Sequence, residues 1–105
     1  MAMDVVYKRT TEDVPYTFDF TDLLPSTDAT VTLVSVIATD TAGVDKSSTV
    51  LSGSAAATKT LTTVLQAGLE GEDYVVRATA RGATSGRDFT QVIEMRVRDT
   101  IIGNQ

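Results

Sequence analysis

Residues 14–20, VPYTFDF, place Val14, Tyr16, Phe18 and Phe20 on one face and Pro15, Thr17 and Asp19 on the other. A repeat of two belongs to a half-buried strand. In 29–38, ATVTLVSVIA, Val31, Leu33 and Ile37 alternate with Thr30, Thr32, Val34 and Val36. Both faces are partly apolar, which predicts a central strand. In 87–98, Phe89, Ile93, Met95 and Val97 share a face against Thr90, Glu94, Arg96 and Arg98. Weaker strand patterns occur at 4–9, around 48–51 and at 58–65. In the last, Leu61 and Leu65 are four apart, as in a helix, but Thr58, Thr60, Thr62 and Thr63 favour a pleated strand.

Breakers separate these runs: 21–28 with Pro25, 39–47 with Gly43, the small and flexible 52–57, 66–73 with two Gly, and 82–86 with two more. Short strands punctuated this way predict an all-β domain, a seven-stranded immunoglobulin/fibronectin III-like β-sandwich covering 1–105. In that order, loops 21–28, 52–57 and 82–87 gather at one end, and 10–13, 39–47 and 66–72 at the other. Loops carried on fixed strands are where such domains bind.

The stretch LEGEDYVVRATA (69–80) resembles the tyrosine corner of such sandwiches, in which a ring enters the core and its hydroxyl returns to upstream backbone. Leu69 is expected to turn into the core, Gly71 to take the tight bend at positive φ, and Tyr74 to start a strand whose inward face continues through Val76, Ala78 and Ala80. Two positions after the Tyr stands Val76, not Cys, which favours the fibronectin-like form.

Composition narrows the chemistry. The 105 residues suit one domain. Nine basic against fourteen acidic residues give a net charge of −5, with the basic residues scattered among acids. Nucleic acid and anionic membrane surfaces are therefore not expected as partners. Without Cys there is no disulfide or thiolate chemistry, which suits folding in a reducing cytoplasm. The opening MAMDVVYKR lacks the charged-then-apolar design of a signal peptide. A chain with no His offers no imidazole base or metal ligand, and no nucleotide-binding glycine motif occurs. No catalytic residue, cofactor or metal is expected. Carboxylates that could flank a substrate (Asp40, Asp45) or hold calcium (Asp22 with Asp28, or Glu70 with Glu72 and Asp73) sit in turns, where acids usually bond to their own backbone.

Two apolar features stand out. Leu23 and Leu24 lie in a loop ahead of Pro25, to plug an open sandwich end or anchor a partner. Ile101 and Ile102 in the tail 99–105 either extend the last strand or dock on a neighbour along an exposed edge.

The order of features resembles the small immunoglobulin-like virion proteins of tailed bacteriophages, of the fiber-tail adaptor type. The residues that carry the resemblance are Phe18, Asp19, Phe20, Leu23 and Leu24 at the front, and Tyr74, Gly86, Arg87, Arg96, Val97 and Arg98 at the back. The chain departs from the pattern in having no Trp. The resemblance implies a non-enzymatic structural protein, made in the host cytoplasm and built into the virion. It would be a tail or head-tail adaptor that anchors fibres by docking on other virion proteins, repeated as a homo-oligomer in the particle. Candidate partner contacts are Leu23, Leu24, Arg87, Ile101 and Ile102. A capsid decoration protein stapling capsomers is the alternative, and a carbohydrate- or receptor-binding module a further one.

Overall fold

The structure, a computed structural model, describes residues 4–25 and 28–99. Among the described residues the chain is all-β apart from one helical turn. In chain order the elements are β1 (Asp4–Lys8), β2 (Val14–Asp19), β3 (Val31–Asp40), α1 (Ser47–Val50), β4 (Leu51–Ala57), β5 (Thr60–Leu65), β6 (Asp73–Gly82) and β7 (Asp88–Val97). They form a four-stranded sheet, β1-β7-β6-β3, and a three-stranded sheet, β2-β5-β4. All pairs are antiparallel except β1 with β7.

Both sheets turn one face onto a single core, as the alternation predicts. Phe18, Leu61 and Leu65 from the smaller sheet meet Val76, Ala78, Ile93, Met95 and Val97 from the larger, all buried. Phe20, just past β2, is buried too. The arrangement is that of a β-sandwich.

Three expectations are corrected. β3 is an edge strand of its sheet rather than a central one. Its apolar residues on both faces are explained by a bulge at Val34. Leu33 pairs with Ala80 and Ser35 with Thr79, so an extra residue switches the inward set from Val31 and Leu33 to Val36 and Ala38. Ile37 is thereby left on the solvent face, opposite the exposed Arg77.

Residues 48–50 are helical, not extended. The chain crosses here from one sheet to the other. Ser47 accepts the Ala38 N–H at 2.9 Å, Asp45 accepts the Ser47 N–H at 2.8 Å, and the resulting turn drives Val50 into the core. A β-branched segment takes a helical turn because burial and these bonds outweigh its weak propensity.

The 52–57 segment, expected as a flexible loop, is most of β4. Its backbone pairs with β5 at Ala55↔Thr62, Ala56↔Leu61 and Ala57↔Thr60. Paired backbone makes a strand of a sequence whose small side chains favour none. The turn between them shrinks to Thr58–Lys59, with Thr58 at φ +47°.

Candidate interaction surfaces

The loops sort into two ends. At one, Phe20 N–H bonds Lys59 O at 2.9 Å, Val31 N–H bonds Thr58 O at 2.7 Å and Ala83 N–H bonds Thr30 O at 3.0 Å. The 58–59 turn takes the place expected for 52–57. At the other, Asp99 gathers the loops. Its carboxylate accepts from Thr10 N–H and hydroxyl, each at 2.9 Å, and its own N–H donates to Glu70 at 3.0 Å.

At the first end, Leu23 and Leu24 part company. Both N–H groups bond to Phe20 O, closing a tight turn after β2. This aims Leu24 against the core while Leu23 stays 41% exposed. Leu24 plugs; Leu23 is free to contact. Arg87 is exposed on the β6–β7 turn at the same end.

That turn is held by Asp28, which is fully buried. One carboxylate oxygen accepts the Thr84 and Ser85 N–H groups at 2.8 and 2.7 Å, and the other accepts the Ser85 hydroxyl at 2.6 Å. The Ser85 hydroxyl bond, with the two amides and the nearby Arg87, holds the Asp28 carboxyl below the usual carboxylate range against the cost of desolvation. Gly82 makes room: a Cβ there would lie 2.1 Å from Asp28 Oδ2. Sequence reading weighed Asp28 as a calcium ligand and missed this role. The signal was present as an acid placed ahead of a strand and a Gly-Ala-Thr-Ser-Gly turn far along the chain, but nothing local joins them.

Three other acidic candidates also take protein partners. Asp40 accepts the Ala42 and Val44 N–H groups, Asp73 pairs with Arg98 at 2.8 Å, and Glu70 is taken by Asp99 N–H.

At the second end, the Tyr74 ring is buried and its hydroxyl oxygen accepts the Leu69 N–H at 3.1 Å. Gly71 has φ +86°, and Val76, Ala78 and Ala80 are buried along the same strand face. Leu69 is corrected: its side chain is 68% exposed. Only its backbone serves the corner. Close packing falls on Gly68 instead, at φ +93°, where a Cβ would come 2.8 Å from Val97 Cγ2.

Lys8 was also missed. It points inward from β1, fully buried, with its ammonium donating to the carbonyls of Arg9 and Ala67. Burial pushes its pKa down, and Glu12, Asp13 and Asp99 partly restore it. Ile101 and Ile102 lie outside the described residues.

The chain matches no protein-family model, no curated protein and no solved structure.

Proposed function

We propose that the chain is a non-enzymatic structural protein of a tailed-bacteriophage virion, an adaptor that anchors fibres to the tail by docking on neighbouring virion proteins. The sequence resemblance suggests the class. The observation that carries it to a surface is the Leu23–Arg87 end, where an exposed aliphatic and an exposed guanidinium stand on two loops, the second clamped by buried Asp28. A contact surface already held in place loses little entropy on binding, and Arg is among the side chains that most often dominate interfaces.

The finer fold assignment belongs with this proposal. The order β2-β5-β4 against β1-β7-β6-β3 fits an immunoglobulin-like strand order, with the first strand moved beside the last and running parallel to it. The phenol-to-backbone bond ahead of β6 supports the same reading.

Leu23→Lys and Arg87→Glu test the surface. Particles assembled with either variant should lose the chain from the tail, while purified Leu23→Lys keeps the wild-type melting temperature and Arg87→Glu, which sets an acid near Asp28, keeps the wild-type circular dichroism. Wild-type incorporation of both variants would contradict the docking role of this end.

A further inference from the structure

The two open flanks of the sandwich are built differently. On one, edge strands β1 and β2 carry the usual guards against edge pairing. Pro15 removes a donor from β2, Lys8 points inward from β1, and Asp4 accepts the Tyr16 hydroxyl across the gap at 3.1 Å. On the other, edge strands β3 and β4 lie side by side. Neither 31–39 nor 51–57 contains a charged residue or a proline, in a chain of net charge −5.

This second flank is closed at one end, where 44–46, with Asp45 and Lys46, bonds the β3 edge (Lys46 N–H to Ala38 O at 2.8 Å, Asp40 N–H to Val44 O at 3.0 Å), and is unsealed over 32–37 and along β4. Leu33 sits opposite Ala80 on the core-facing side of β3, yet it is 39% exposed, and the bulged Val34 is 41% exposed. The neighbouring β4 offers only small side chains beyond Leu51, and all of them are exposed. Bulges interrupt both edges, at Val34 and between Ser52 and Ala55. Regular strand geometry on β4 resumes at Ala55–Ala57.

We propose that the β3–β4 flank binds a second copy of this chain, β4 against β4 in antiparallel pairing about a two-fold axis. The charge distribution selects this occupant. An acidic chain repels its own copy over most of its surface, and an uncharged flank lets two copies approach without setting like charges together. A two-fold contact uses the same patch on both partners and closes at the dimer. It joins the three-stranded sheets into one and brings Leu33 and Val34 of each copy together, covering the rim of both cores. The proposal goes beyond the virion reading and does not rest on it.

Sedimentation velocity of the purified chain across a concentration series tests it, alongside Ala55→Lys, Val34→Lys and the control Val5→Lys on the opposite edge strand. The wild type should pass from monomer to dimer as concentration rises. Lysine facing lysine across the axis should move that midpoint at least about tenfold higher for the flank variants, and the control should match the wild type. Two flank variants are included so that one folded variant, judged by its circular dichroism, suffices. A wild type that stays monomeric, or a dimer unmoved by lysine on the flank, overturns the proposal. A monomer that still enters virions would overturn this contact alone and leave the adaptor reading standing.

Discussion

At the scale of single residues, the chain is held by polar groups that reach from one segment to backbone in another. Tyr74 serves the 66–72 loop this way. Tyr74→Phe keeps the buried ring but leaves the Leu69 N–H without its acceptor, and should cost about 1–3 kcal/mol in urea denaturation. Asp28 is the acid-sensitive member of the set. Its carboxyl titrates below its usual value in the folded chain, so below the ordinary carboxylate pKa the unfolded chain binds the extra proton. The stability that Asp28 contributes is present above that value and is lost as pH falls through the folded one. Asp28→Asn should therefore be less stable at neutral pH and lose stability less steeply on acidification, a difference read from denaturation midpoints between neutral pH and the acid range. Equal slopes for the two proteins would remove Asp28 from the account.

The role of Tyr74 was legible because a Tyr after a Gly-bearing loop and before an alternating strand has a local signature. Asp28 and Lys8 were not legible. Each finds its partners through the fold, at Ser85 and Ala67, and no local pattern distinguishes a buried acid or lysine from a solvated one. Leu69 shows the converse. Its backbone is recruited while its side chain faces solvent, a division that side-chain hydropathy does not register.

At the scale of elements, alternation located the strands well wherever one face keeps turning toward the core, as in β2, β6 and β7. It failed where something other than the face decides. β3 alternates on both faces because a bulge changes the register midway. β4 has almost no hydrophobic signal, and its extended form comes from pairing with β5. The helical turn α1 exists because the crossing between sheets must bury Val50 while Ser47 and Asp45 bond the nearby backbone. Val50→Ala removes that anchor and should lower stability by about 2 kcal/mol, measured by thermal or urea unfolding. A neutral effect would mean that the crossing is held by its hydrogen bonds alone.

At the scale of the whole molecule, the sheets present contrasting surfaces. The guarded β1–β2 flank, the β3–β4 flank with its uncharged stretches, and the Leu23–Arg87 end divide the exterior into regions of different character. A subunit of a repeated assembly needs such a division, because contacts with its own kind and with other proteins use different patches. None of this was visible in composition, which gives only the net charge. It appears once the topology places the uncharged stretches 31–39 and 51–57 side by side. The most direct test of the account is immunogold electron microscopy of purified phage particles with an antibody raised against this chain. The adaptor role predicts gold at the tail where fibres attach. Gold confined to the capsid, or particles that carry none, would contradict it.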